Sequence, residues 1–170
     1  AALKASKQGW ACVGHKLDYA HRAWIQPGHW LTSDMQKANE DAAALYESWK
    51  KDVQVEEYRL EDAEVVLTAY GISARICKSA VELLRAQGVK AGLIRPITVH
   101  PFPYAAYDHI DYSKVKAVLD VEMSIPAQFV DDVAVAVKDR CLIETCLCSG
   151  GNIMSRDKVL TAVKKIMEGK

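Results

Sequence analysis

The stretch "VLTAYGISARI", Val66 to Ile76, decides the fold. An apolar run rich in β-branched residues stops at Gly71, and a polar run with helical spacing begins at once. Such a short apolar run is typical of a strand buried on both faces of a parallel sheet, and glycine allows a tight turn into a helix. The stretch therefore predicts a strand–turn–helix unit of the kind that begins nucleotide-binding folds. It raises the question whether the turn holds a phosphate or is only a corner of the scaffold.

Further segments after residue 53 have the composition of strands. They read "VQVEEYR", "VKAGLI", "VKAVLDVE" and "CLIETCL", and they begin at Val53, Val89, Val115 and Cys141. The first has polar positions, which favour the edge of a sheet. Because these segments alternate with helical ones, they predict a parallel sheet with helices on both faces, a three-layer α/β/α fold.

Helical segments separate the strands. The first runs from Ile72 to Leu84 and is expected to end at Gly88, a usual residue just beyond a helix. Pro126 suits the first turn of the next helix, and Ser155 suits the cap of the last one. The helix after Pro126 is expected to bury Val130, Val133, Ala134 and Val137.

The first part of the chain differs in character. Residues 1–31 have neither helical nor strand period but are rich in tryptophan, so they predict an irregular arm that lies against another surface. From Thr32, apolar residues at three- and four-residue spacing predict an amphipathic helix. We expect an aromatic-rich connecting arm plus this helix over residues 1–52 and an α/β domain over residues 53–170. The stripe expected to be buried is Met35, Ala38, Ala42, Leu45, Tyr46 and Trp49.

Composition excludes several function classes. Acidic and basic residues balance at 22 each, so no overall charge draws the chain to nucleic acid or to an anionic membrane. No apolar run approaches the roughly 18 residues of a membrane span. The cysteines are 5 in number and irregularly spaced, which favours reduced thiols in a cytoplasmic protein. Cys146 and Cys148 lack the paired spacing of metal sites, so no metal site is predicted.

Ligands of open α/β sheets bind at the carboxyl ends of the strands. The turn at Gly71 has a single glycine and no P-loop lysine, so it is not a nucleotide fingerprint. The backbone amides of residues 72–74, with Ser73, are still placed to receive an anion at a helix start. Arg75 and Arg95 have side chains that bind carboxylates or phosphates. The alternatives are a tight turn at Gly71 and, for each arginine, an acidic partner at a subunit interface. No nucleophile–base arrangement is visible, so no catalytic residue is predicted.

Three blocks of sequence carry a family resemblance. "DAEVVLTAYGISARICKSAVELLRAQGVKAGLIRPITVHPFP", from Asp62, resembles the carboxyl-terminal region of the alpha subunits of 2-oxoacid:ferredoxin oxidoreductases. "AVLDVEMSIPAQFVDDVAVAV", from Ala117, and "SGGNIMSRDKVL", from Ser149, are similar to the strand, helix and closing loop that follow. With "GHK" at Gly14, the resemblance covers roughly residues 9–168 and is greatest to the 2-ketoisovalerate type, with the pyruvate type related.

The resemblance implies a fold and an activity. The fold is that of the transketolase carboxyl-terminal domain, a five-stranded mixed sheet that is mostly parallel with one antiparallel edge strand. The activity is oxidative decarboxylation of a 2-oxoacid to an acyl-coenzyme A, with ferredoxin as electron acceptor. The whole enzyme uses thiamine diphosphate, magnesium, 4Fe–4S clusters and coenzyme A, and none of these is expected to bind to this chain alone. The implied partners are the beta, gamma and ferredoxin-like delta subunits of a hetero-oligomer.

The resemblance also implies that this chain is a fragment that cannot turn over alone, and that it serves subunit assembly and the wall of the cofactor site. Two departures from the family pattern stand at Ile125–Ala127 and at Cys148-Ser149. The alternative function is an α/β module that binds an anionic cofactor, either coenzyme A or a nucleotide. Gly71, Ser73, Arg75 and Arg95 are the residues expected to contact that cofactor.

Overall fold

The computed structural model describes Gly28 and residues 31–169. The chain divides into two units, Ala1–Leu45 and Tyr46–Lys170. The helices are α1 Thr32–Trp49, α2 Gly71–Ala86, α3 Phe129–Val137 and α4 Arg156–Glu168, with 3-10 helices at Lys50–Asp52 and Tyr104–His109. The strands are β1 Val55–Tyr58, β2 Val65–Thr68, β3 Ala91–Pro96, β4 Ala117–Glu122 and β5 Leu142–Leu147.

The strands form one 5-stranded sheet in the order β1-β3-β2-β4-β5. β2 pairs in parallel with β3 and β4, and β5 pairs in parallel with β4. β1 pairs antiparallel with β3 and forms one edge. Every residue of β2 is buried, as expected for a central parallel strand, whereas the polar strand β1 is only partly buried. The predicted mixed sheet with an antiparallel edge strand is confirmed.

Helices cover both faces of the sheet. Successive side chains of a strand point to opposite faces. Val65 and Leu67 of β2 pack with apolar side chains of α2 and α4. Val66 packs instead with α3 and with the 3-10 helix Tyr104–His109. The predicted three-layer α/β/α arrangement is therefore confirmed.

The connection from β1 to β2 is held in place by Gly92 of β3 and by Arg85 at the end of α2. A Cβ atom at Gly92 of β3 would lie 2.8 Å from the carbonyl oxygen of Arg59, so only glycine lets this connection pass. The Arg85 guanidinium donates to the same carbonyl at 2.8 Å and to Oδ1 of Asp62 at 2.7 Å. Its Nε donates to the carbonyl of Ala91 at 2.7 Å. One side chain thus ties the helix end to β3 and to the connection between β1 and β2.

α3 differs from the prediction in its start and in its buried face. Pro126 does not lie in the first turn, because the helix begins at Phe129. Ala134 was predicted to be buried and is exposed, and Val130 is only half-buried. Helical spacing is compatible with either choice of face, and the ring of Phe129 decides it by packing 5.8 Å from that of Phe102, centroid to centroid. The residues that α3 buries are Phe129, Val133, Ala136 and Val137.

The apolar stripe of α1 is not buried in the described structure. Helix α1 spans the predicted residues, but none of its side chains is buried, and Leu45 and Tyr46 are 50% and 51% exposed. Spacing predicts a stripe but not the surface that covers it. The expected division between residues 1–52 and 53–170 stays a prediction, and the predicted arm lies almost wholly outside the described residues.

The corrected face of α3 leads to a matched pair of variants. Ala136→Leu should lower the free energy of unfolding by roughly 2 kcal/mol, because a fully enclosed alanine has no room for three more heavy atoms. Ala134→Leu places the same side chain on the exposed face of the same helix and should change it by less than about 0.5 kcal/mol. Urea denaturation measures both. Equal losses would contradict the observed face.

Candidate functional site

The carboxyl ends of β2 and β4 lie side by side near the centre of the sheet. The chain leaves β2 for β3 on one side of it and later enters β4 on the other side. The loops that follow these two strands therefore part in opposite directions. In open α/β sheets, ligands bind at this switch point.

A cavity of about 150 Å³ lies at this point. One wall is the first turn of α2, and the other is the end of β4 with the loop that leads to α3. The cavity is lined by Tyr70, Gly71, Ile72, Ser73, Val121, Glu122, Met123, Ser124 and Gln128.

The first turn of α2 begins without a capping side chain. Gly71 has a φ of 57°, in the left-handed region that favours glycine, and the extended Tyr70 before it makes no side-chain cap. The first amides of a helix have no carbonyl partner within the helix. The Ala74 amide donates to the Tyr70 carbonyl at 3.3 Å. The amides of Gly71, Ile72 and Ser73 have no such partner among the described residues.

Ser73 lies in this turn and lines the cavity. Its side chain is only 4% exposed. None of the described residues forms a hydrogen bond with its hydroxyl group. Because the residue lines the cavity, its hydroxyl group is available to a ligand there.

At the start of α3, the acceptor for the first amides of the helix is the side chain of Glu122, the last residue of β4. Its carboxylate accepts the amide of Gln128 at 2.8 Å and that of Phe129 at 3.2 Å, and the Ser124 hydroxyl donates to it as well. Burial pushes the pKa of Glu122 upward, but these hydrogen bonds and one from Asp120 outweigh burial and keep it below the ordinary value. Glu122 is therefore an ionised cap on the N-terminus of α3.

Asp120 lies two residues before Glu122, on the same face of β4. It is fully buried, and none of the described donors reaches either of its carboxylate oxygens. Burial first, then the neighbouring Glu122, raises the pKa of Asp120 to about 8. A proton on Asp120 supplies the missing donor, since a neutral carboxyl group donates to the ionised Glu122. The pair thus shares one negative charge at neutral pH.

A second buried polar contact lies beside Asp120. Thr68 of β2 is the strand neighbour of Asp120, and its hydroxyl is 2.5 Å from the hydroxyl of the buried Tyr107. Burial raises the pKa of Tyr107, so this phenol stays neutral. The polar groups below the cavity are consequently uncharged, apart from the single charge at Glu122.

The structure separates the residues predicted to bind a cofactor. Gly71 and Ser73 line the cavity. Arg75 is exposed and Arg95 is half-buried, and neither lines it. Arg95 pairs with Glu56 of β1 at 3.0 Å. The binding role of these residues stays a prediction. Their positions favour an anion site at the turn, with Gly71 and Ser73, over one at Arg75 or Arg95.

Glu122 and Asp120 were missed by sequence reasoning. Their signal is two acidic residues at alternate positions in a strand that is otherwise apolar and buried. Charged residues are rarely buried unless they are paired or capped. The alternating acidic residues could therefore be noticed in the sequence, but the groups that contact them could not be predicted from it.

The described residues offer binding groups rather than a reactive centre. No group of three His, Cys, Asp or Glu among them is placed to hold a metal ion. Burial raises the pKa of the Cys77 and Cys146 thiols, which makes them poor nucleophiles. A larger groove of about 540 Å³ lies between β5 and α4, away from the switch point. The arrangement at the strand ends is best suited to holding a small polar group.

The known proteins similar in sequence to this chain are subunits or domains of enzymes that act on 2-oxoacids. The family described as pyruvate:ferredoxin oxidoreductase core domain II matches residues 63–159. The ketoisovalerate oxidoreductase subunit VorB of Methanothermobacter marburgensis is 40% identical over 117 residues, which are 69% of this chain and 32% of the relative. The 2-oxoglutarate synthase subunit KorA of Methanocaldococcus jannaschii is 44% identical over 64 residues, 38% of this chain and 17% of the relative. The chain spans about a third of the length of the first of these curated relatives.

Solved structures support the fold. The 2-oxoglutarate:ferredoxin oxidoreductase from Magnetococcus marinus, with 2-oxoglutarate, coenzyme A and succinyl-CoA bound, is similar with a TM-score of 0.66 at 19% identity. The match covers 82% of this chain and 24% of that one. A split-gene transketolase is similar with a TM-score of 0.56 at 17% identity, covering 68% of this chain and 41% of that one. These two likenesses confirm a transketolase-like α/β fold.

The protonated state of Asp120 is testable by its pH dependence. Its pKa is raised from 3.8 to about 8 on folding, so the native state holds a proton that the unfolded state releases, and stability is lost as pH rises toward 8. Asp120→Asn should remove this loss, making the variant more stable than the parent by roughly 2 kcal/mol at pH 8, and by less at pH 5. Urea denaturation at both pH values measures the difference.

Asp111→Asn is the control, because a hydrogen bond from Lys114 lowers the pKa of Asp111 to about 2. The pKa of Asp111 is lowered where that of Asp120 is raised. Removing this carboxylate should therefore make the variant less stable than the parent at neutral pH. An effect of Asp120→Asn that is the same at pH 5 and pH 8 would show that Asp120 is ionised in the native state.

Proposed function

The chain belongs to the pyruvate:ferredoxin oxidoreductase core domain II family, and we propose from this membership that it is a domain of the alpha subunit of a 2-oxoacid:ferredoxin oxidoreductase. The whole enzyme oxidatively decarboxylates a 2-oxoacid to an acyl-coenzyme A and passes the electrons to ferredoxin. The family match over residues 63–159 carries the proposal, since it runs from the start of the central strand β2 into α4.

2-Ketoisovalerate is the substrate that we propose first, with pyruvate second. Two relatives at 40% and 38% identity over 117 residues are ketoisovalerate oxidoreductase subunits. A pyruvate synthase subunit is 33% identical over 90 residues. We assign the substrate contacts to other parts of the enzyme, since this chain spans only about a third of the relative's length.

The cofactors of such an enzyme do not fit the switch-point cavity of this chain. Thiamine diphosphate is a drug-sized ligand, and sites for such ligands typically have about 300–1,000 Å³. The switch-point cavity, at about 150 Å³, is too small for it. A 4Fe–4S cluster needs a set of cysteine ligands, and the described residues supply no such group. We therefore assign thiamine diphosphate with its magnesium ion, and the clusters, to other domains and subunits.

The proposed role of this domain is assembly and completion of the wall around the cofactor site. Exposed apolar side chains surround the carboxyl ends of the strands, and exposed apolar patches mark interaction surfaces. Ile72 follows β2 and is 53% exposed, Ile125 follows β4 and is 61% exposed, and Ile153 follows β5 and is 66% exposed. We call these three residues the apolar rim. The proposed partners are the beta, gamma and ferredoxin-like delta subunits.

A cytoplasmic location is part of the same proposal. No helix in the described part of the chain has both the length and the apolar character needed to cross a membrane. The cysteines in the described part of the chain are free thiols. Both observations are compatible with that location.

The apolar rim provides a test of the assembly role. Ile125→Asp and Ile153→Asp, introduced together into the full-length alpha subunit, should abolish co-purification with the partner subunits and reduce 2-oxoacid-dependent ferredoxin reduction in proportion. Val135→Asp is the matched control, because Val135 is 62% exposed but lies on α3, away from the strand ends. Its complex should form normally.

Co-purification and activity should be measured on the same preparations. A double rim variant that assembles and turns over like the parent would overturn the assembly role. An alpha subunit that lacks this domain altogether and still works normally would overturn the wider proposal.

A further inference from the structure

Two helix starts border the same cavity, and only one of them is occupied. At α3, the Glu122 carboxylate accepts the amides of Gln128 and Phe129. At α2, the amides of Gly71, Ile72 and Ser73 have no acceptor among the described residues. The chain itself thus shows which chemical group satisfies a helix start at this edge: an oxyanion.

The start of α2 has a second feature that the other helix starts lack. The Ser73 hydroxyl is in a residue that is 96% buried, lines the cavity and has no hydrogen-bond partner in the described structure. By contrast, Ser155 at α4 uses its hydroxyl to accept the amide of Lys158 at 3.2 Å, so that helix caps itself. Ser73 is directed at a ligand position instead.

We propose that the first turn of α2 binds one phosphate or carboxylate group of a ligand, held by the amides of residues 71–73 and by the Ser73 hydroxyl. The N-terminal end of a helix carries a partial positive charge, which favours an anion there. Gly71 has a φ of 57°, which glycine adopts without strain, and it lines the cavity, so its backbone forms part of the wall.

The cavity limits what the ligand places there. A volume of about 150 Å³ admits a single tetrahedral or planar oxyanion with a short attachment, and it excludes a whole nucleotide. Neither Arg75 nor Arg95 lines the cavity, so the site relies on backbone amides. It therefore lacks the double hydrogen bond of an arginine and favours a weakly held, exchangeable anion.

The neighbouring carboxylates place one negative charge at this cavity, that of Glu122. The charge of Glu122 is engaged by the Ser124 hydroxyl and by the first amides of α3. Asp120 is buried and does not line the cavity, and its raised pKa favours the neutral acid. The amides of α2 consequently face one negative charge, which is held by hydrogen bonds at the start of α3.

The test uses the isotopically labelled 170-residue chain and two probes, inorganic phosphate and acetate, with sodium chloride at matched ionic strength. Amide chemical shifts are followed by NMR. Binding should produce saturable shifts at Gly71, Ile72 and Ser73, while the self-capped amides near Ser155 stay unchanged. Saturation by phosphate alone indicates a phosphorylated ligand, by acetate alone a carboxylate ligand, and by both a site for any small oxyanion.

Two serine variants complete the test. Ser73→Ala should weaken the affinity for the bound probe about ten-fold, as expected when a hydrogen bond to a charged group is lost. Ser155→Ala removes the same hydroxyl from another helix start and should leave this affinity unchanged. The proposal is wrong if the parent chain shows no saturable shifts at the start of α2, if chloride reproduces them, or if Ser73→Ala binds equally well. The parent titration decides even if a variant fails to fold, and it does so independently of the oxidoreductase assignment.

Discussion

The bond between the Glu122 carboxylate and the first amides of α3 is the constraint on which the strand ends depend. It sets the residue at which α3 begins, and thereby the course of the loop over residues 123–128. It places an ionised group beside Asp120, which can stay in the dry interior only as a neutral acid. It also fills one of two adjacent helix starts and leaves the other, at α2, for an external group.

The sheet could be predicted from the sequence because its signals are local. Gly71 ends an apolar run, and the polar residues of "VQVEEYR" indicate an edge strand, which the structure places antiparallel at the edge. The start of α3 could not be predicted in this way. Pro126 is a valid local signal for a first turn, but the cap comes from Glu122, several residues upstream in another element. The predicted burial of the α1 stripe was wrong for a related reason, since periodicity does not reveal which surface covers a helix.

The site was predictable in part. Gly71 and Ser73 could be predicted because the sequence shows a strand that turns directly into a helix. The structure places both residues at the cavity. Arg95 was expected near them because it lies near the end of a strand. Its side chain instead reaches Glu56, 39 positions away in the sequence, across the antiparallel pair β1–β3. Which face a strand residue occupies, and which distant charge meets it there, depends on pairing that no short window of sequence contains.

The assembly role and the anion site share one edge of the sheet but depend on separate chemistry. Ile125 and Ile153 line a neighbouring cavity with Cys148, so charges placed at these two residues act on docking without contacting the amides of α2. Ile72 belongs to both features, because its side chain is part of the apolar rim and its amide is part of the anion site. A partner that covers Ile72 would exclude water from the cavity and strengthen every charge–dipole interaction inside it. Docking at the apolar rim and anion binding at the start of α2 therefore meet at one residue, Ile72.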